Sequence, residues 1–181
     1  MWKKSLIVLL AIGFIGIFSS YEAMAVTAAN IDVGVKRSMN QLQDISGANA
    51  VVKRAAGVLV FPSVFKAGFV IGGEYGEGAL LIKGKTVNYY STVAGSFGFQ
   101  LGGQKKTVVI AFMDPKELEK FQRSSGWKVG ADAAVTVIAI GADGSVDTAK
   151  TNKPVVAFVF DKKGLMYNLT LNGAKITKLK R

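Results

Sequence analysis

Residues 57–78 read GVLVFPSVFKAGFVIGGEYGEG, and their reading decides the fold. Glycine recurs beside aromatic and β-branched residues, and no apolar stripe follows a helical period. Glycine inside a strand marks a bulge, a bend or the close approach of another backbone. A second stretch of the same character, GSFGFQLGGQ, follows at 95–104. Together they predict a tightly curved antiparallel β core in which Gly68, Gly72 and Gly73 have a packing role.

Upstream of this run the spacing is helical. Ile31, Val35, Met39, Leu42 and Ile45 recur every three or four residues from Asn30 onward, with Asn30 as the expected cap. Ser46-Gly47 interrupts the pattern, and Val51, Val52 and Ala55 continue it as a second short helix. Downstream, strands are predicted at 58–61, 68–73, 79–83, 86–91, 96–102 and 107–112. Asp114-Pro115 then opens a helix to about Arg123, with aspartate as cap and proline where its missing N–H costs nothing. Further strands are predicted at 133–140, 155–160, 165–171 and 174–179, with turns at Asp161–Gly164 and Asn172-Gly173 and a polar connection over 141–154. The fold class is therefore α+β: a curved antiparallel sheet or sandwich with short N-terminal helices and one inserted helix.

The first 25 residues have the three parts of a secretory signal peptide. Lys3 and Lys4 make a basic start, residues 6–18 are uncharged and apolar, and Ala23-Met24-Ala25 is an A-x-A site. Thirteen residues rise about 20 Å as a helix, short of the roughly 30 Å hydrocarbon core. Cleavage after Ala25 leaves residues 26–181 as one domain, exported to the periplasm in a Gram-negative source or held against its membrane. Removing Lys3, Lys4 and Glu22 leaves 21 basic and 11 acidic residues, a net +10. Export argues against a nucleic-acid partner, so the expected partner of this charge is an anionic phospholipid membrane or another acidic envelope polymer.

Composition removes most enzymology. The chain has no histidine and no cysteine, so the usual catalytic triad, zinc, haem and iron–sulfur sites lack their residues. No catalytic residue, metal site or cofactor is expected. Glu74 and Glu77 are read as solvent-facing. Gly78–Thr86, GALLIKGKT, resembles a phosphate loop but has five residues between its glycines, four of them apolar in a strand-like run, and no helix is expected to follow. Gly95-Ser96-Phe97-Gly98 lacks the spacing of a nucleophile elbow.

The lysines are more informative. Lys83 and Lys85 flank Gly84, and Lys105-Lys106 follow Gly102-Gly103. If residues 79–112 form a meander turning at 92–95, all four lysines meet at one end of the sheet as a lipid-binding patch. The alternative is that they only keep turns and edges soluble. Phe61, Phe65, Phe69, Tyr75, Phe97 and Phe99 are read mainly as core. The exception is Phe65, which with Lys66 is expected on a loop opened by Pro62, where it could dip into a bilayer.

One family resemblance stands beside this reading. Ala55 or Ala56 with Gly57, Phe61, Pro62, Lys66, Ala67, Gly68, Phe69, Gly72, Gly73, Gly76 and Gly78 resemble, in order, the SYLF-domain signature. Gly95, Gly98, Gln100 and Gly102, and then Gly130-Ala131-Asp132-Ala133, are similar to its later blocks. The resemblance implies phospholipid binding and an exported bacterial member. The chain departs from many such members in lacking a cysteine for acylation. Actin binding, known for some eukaryotic members, is not carried over to an exported protein. The rival expectation is an envelope protein–protein scaffold using exposed strand edges.

Overall fold

The computed structural model describes residues 27–68, 71–97, 104–138, 146, 148–161, 164–165 and 171–181. The signal-like segment and its cleavage site lie outside the described residues. No described helix is long and apolar enough to cross a membrane.

Helix α1 spans Ala28–Gln43 and α2 spans Ala48–Arg54. Thr27, not Asn30, caps α1, its hydroxyl accepting from the Asn30 amide at 3.3 Å. Ile31, Val35 and Leu42 form the buried stripe, joined by Ser38. The break falls at Ser46-Gly47 as expected, with Gly47 at φ +83°.

Strand β1, Gly57–Gly68, is longer than the sequence suggested. Pro62 does not end it. The register of β1 shifts between Val60 and Ser63 against β2, Ile71–Ile82, and between Phe61 and Val64 against β4, Gln104–Phe112. Proline has no N–H to give the ladder, so a bulge is where a central strand can hold it. Its carbonyl still accepts from the Thr107 hydroxyl at 3.2 Å. Phe65 therefore stands on a strand, and the expectation of a loop is corrected.

β2 turns into β3, Lys85–Phe97, through Lys83-Gly84, both at positive φ (51° and 76°). That is the geometry of a two-residue hairpin turn matched to strand twist. No turn occurs at 92–95: β3 runs through those positions unbroken. The remaining elements are α3 (Pro115–Arg123), β5 (Trp127–Lys128), β6 (Thr136–Val137), a short 3-10 helix (Thr148–Asn152), β7 (Val155–Asp161), β8 (Gly164–Leu165) and β9 (Lys175–Leu179). Asp114 caps α3 as predicted, accepting from the Lys116 amide at 2.8 Å. The turn at Asn172-Gly173 also stands where it was read, and Asp161 pairs with Gly164 across the other expected turn, whose two central residues lie outside the described ones.

The strand order is β5-β9-β3-β2-β1-β4-β7-β6, with β8 on β7, in one strongly curled half-barrel. All described pairings between named strands are antiparallel except β6 with β7. The architecture is thus α+β with a curved sheet, as expected, and a single sheet rather than a sandwich. Both faces are covered, and adjacent residues of β1, β4 and β7 alternate between two cores. Leu59, Phe61, Val108, Ile110, Val155 and Ala157 join Leu118 and Phe121 of α3 on one face. Val58, Val60, Val109, Ala111, Val156 and Phe158 join α1 and α2 on the other. Such unbroken apolar runs are what a strand buried on both faces requires.

A polar clip fixes α1 to the sheet. Asp32 accepts from Thr86 Oγ1 and from the Tyr89 hydroxyl, each at 2.9 Å. The bond to Asp32 is the main reason the Tyr89 phenol titrates above its ordinary range, followed by partial burial. Its contribution is complete below pH 10 and is lost as the pH rises through the raised value. Asp32→Ala should lower stability by about 1–2 kcal/mol, read as an earlier urea midpoint. An unchanged midpoint would show that the apolar stripe alone seats the helix.

Candidate surface-binding site

Past the Pro62 bulge, the alternation of β1 puts Val64 in the α3-side core and Phe65 on the α1 side, where no described helix covers it. The registers then lay out one row across five strands. Lys105 of β4 is opposite Phe65 of β1, which is opposite Tyr75 of β2, then Val93 of β3, then Lys175 of β9. At about 4.8 Å between strands the row spans roughly 19 Å. Phe65, Tyr75 and Val93 are 55%, 50% and 52% exposed, so three large apolar side chains stand side by side in solvent with a lysine at each end. The Lys105 ammonium lies 5.4 Å from the centre of the Phe65 ring, a cation–π distance.

The row is supported from below. The Tyr75 hydroxyl donates to Glu77 Oε1 at 2.7 Å, and the Arg181 guanidinium donates to Glu77 Oε2 at 2.7 Å. Partial burial, then the hydrogen bond to the Glu77 carboxylate, push the Tyr75 phenol up to about 12. It therefore remains a neutral donor at any physiological pH.

Of the six residues singled out from sequence, Phe65, Lys66, Lys105 and Lys106 fall on neighbouring strands at one end of the sheet. Lys83 and Lys85 do not join them, which corrects the expectation of one basic end. The meander fails because β4 pairs with β1 on the far side of β2, not with β3. Ile82, opposite Lys85, and Tyr75, in line with Lys105, are seven residues apart on β2, or roughly 23 Å. Lys106 is also unavailable to a surface. It is buried, and its ammonium reaches over β1 to Glu74 at 2.7 Å. Lys66 is half-buried and stands opposite Glu74 by register. Nor are Glu74 and Glu77 solvent-facing: their side chains are 16% and 8% exposed, and each holds a cation.

Sequence reasoning passed over Tyr75, Val93 and Lys175 as members of a site. The signal available was alternation: in Tyr89-Tyr90-Ser91-Thr92-Val93, the face opposite buried Tyr90 and Thr92 carries Val93. Of the other aromatics, Phe61 is core as read, while Phe69 and Phe99 lie outside the described residues.

Beside the row, a cleft of about 310 Å³ opens between α1 and the bulge. Arg37, Ser38 and Gln41 come from α1, Pro62 and Ser63 from β1, Lys105 and Thr107 from β4, and Asp161 from β7. Gly34 permits this geometry, because a Cβ there would lie 2.9 Å from Pro62 Cγ. Among the described residues no cluster of three or more potential metal-ligating side chains is found.

These features define a helix-backed, curled-sheet domain presenting an apolar row bracketed by cations. Residues 93–181 match the family described as Ysc84, Las17-binding protein actin regulator. The match covers just under half of the chain and agrees with the SYLF-domain resemblance of the sequence. The match takes in Val93, Lys105 and Lys175, while the glycine-rich signature at 57–78 lies before it. No curated protein matches the chain.

Proposed function

We propose that this domain is a non-catalytic module that binds an anionic phospholipid surface, from the periplasmic side of a membrane after export. The observation that carries the reading is the exposed Phe65–Tyr75–Val93 row between Lys105 and Lys175. Apolar side chains gain free energy on leaving water for the acyl boundary, and flanking lysines are attracted to lipid phosphates at the same depth. An aromatic with a fixed polar tip, as Tyr75 is, suits that boundary. The net charge of +10 expected after cleavage adds a long-range attraction of the same sign. The family's description names an actin regulator, but the row contains no feature that selects for actin. A scaffold built on strand edges has less support, since the described edge strands β5 and β6 have two residues each and offer little ladder to a partner.

Co-sedimentation with vesicles of increasing anionic lipid content tests the proposal. Lysine near an anionic surface contributes about 1 kcal/mol, so Lys105→Gln with Lys175→Gln should weaken partitioning roughly thirtyfold. The parent's binding should also fall with added salt, as screened charge does. Phe65→Ser should remove much of the binding that survives high salt. Lys83→Gln with Lys85→Gln, at the far end of β2, should change binding by less than about threefold. If the distal pair matters more than the row, the row is not the contact surface.

A further inference from the structure

The cleft beside the row has a chemistry of its own. We propose that it is a subsite for a single phosphate group, gripped between Arg37 of α1 and Lys105 of β4. The inference rests on the membrane reading only for its source of phosphate, a lipid headgroup.

Three observations lead there. First, the cleft holds about 310 Å³, at the lower limit of small-molecule sites. That suits a phosphate with a few attached atoms and is too small for a diacyl lipid. Second, its cations are available. Lys106, which also lines it, is committed to Glu74, whereas Arg37 and Lys105 have no ion pair among the described residues. A guanidinium and an ammonium on opposite walls can give charge-assisted hydrogen bonds to different oxygens of one phosphate. Ser38, Gln41 and Ser63 add neutral polar groups. Third, the cleft and the row share a residue. Lys105 lines the cleft and its ammonium sits over the Phe65 ring, so a Phe65 side chain at the acyl boundary brings the cleft mouth to the level of headgroup phosphates.

Asp161 also lines the cleft and takes part in an interaction of its own. Its charge limits the net attraction and favours one phosphate over a polyanion.

The test uses the full folded chain and Arg37→Gln, an exposed position whose change should leave the melting curve intact. Two kinds of vesicle share a phosphate-free galactolipid matrix and equal surface charge, one carrying a sulfolipid and the other phosphatidic acid. The parent should prefer the phosphatidic acid vesicles by about fivefold or more, and Arg37→Gln should remove that preference while sulfolipid binding stays within about twofold. Glycerol phosphate and inorganic phosphate are titrated separately, following amide shifts in α1 and β4. Saturable shifts with glycerol phosphate, weakened by Arg37→Gln, support the subsite even if no vesicle binds, in which case only the membrane reading falls. Inorganic phosphate binding as tightly as glycerol phosphate, without any vesicle preference, assigns the cleft to free phosphate and overturns the headgroup source. The subsite is overturned if the parent shows neither a phosphate preference nor saturable shifts, or if Arg37→Gln alters neither.

Discussion

Gly78→Ala should lower the stability of the domain by about 3 kcal/mol, an overpacking cost at the upper end of the usual range. A Cβ at position 78 would lie 2.1 Å from the Val60 carbonyl oxygen, 2.7 Å from Phe61 Cδ1 and 2.8 Å from the Val60 carbonyl carbon. Two of these three atoms are backbone of β1, which is paired on both sides and held in its register by β2 and β4. No side chain can swing away to make room, so the strand itself must move at its bulge. Gly76 faces a milder form of the same obstacle, with the Ser63 carbonyl oxygen at 2.8 Å and Val64 Cγ2 at 2.9 Å. Gly73 is the internal control. Its nearest neighbour would be the Ala94 carbonyl oxygen at 3.9 Å, so Gly73→Ala should fall between neutral and a gain of a few tenths of a kcal/mol, from reduced unfolded-state entropy. For a chain of this size Gly78→Ala should melt roughly 6–12 °C earlier than the parent. Equal melting of Gly78→Ala and Gly73→Ala would mean that β1 yields to the added methyl at little cost.

That contrast also shows what the sequence conveys about its glycines and what it withholds. The run 57–78 announces close packing, but the tight approach belongs to Gly76 and Gly78, which face the Pro62 bulge, and not to Gly73. A one-residue slip in register decides which glycines meet the neighbouring strand, and periodicity carries no register. The same gap explains the lysines. Alternation gives each strand its two faces, so the cores could be read from Val108–Phe112 and Val155–Phe160. It does not say which strands are neighbours. A meander is the default for consecutive strands, and here β4 leaves that path to pair with β1. Local signals fared better because their cause is local. Asp114-Pro115 opens α3, Ser46-Gly47 separates α1 from α2, and Lys83-Gly84 makes the tight turn. The row needs five strands in register, so only Phe65, Lys105 and their neighbours were visible beforehand, for reasons of composition. Nothing in the sequence sets Arg37 apart from the other basic residues; it is the bulge that opens the cleft beside it.

Lys106→Met should cost about 2–3 kcal/mol, although a lysine ahead of a strand reads as a solvent-facing charge. The Lys106 and Glu74 side chains are 10% and 16% exposed and meet at 2.7 Å. Removing one member of a buried pair leaves the other desolvated without its counter-charge, which typically costs 3–5 kcal/mol. The residual exposure of Glu74, and Lys66 opposite it in the register, should hold the loss below that. Replacing both charges is a different matter, because well-packed apolar side chains often match a buried pair. Lys106→Met with Glu74→Leu should therefore recover most of the stability, and urea denaturation of both variants and the parent measures the coupling. The pairing has a functional corollary. A lysine committed to Glu74 contributes little to membrane attraction, so at a temperature where Lys106→Met is fully folded it should bind anionic vesicles within about twofold of the parent, unlike Lys105→Gln. A variant with parental stability and sharply weaker vesicle binding would mean that Lys106 leaves Glu74 to face the lipid.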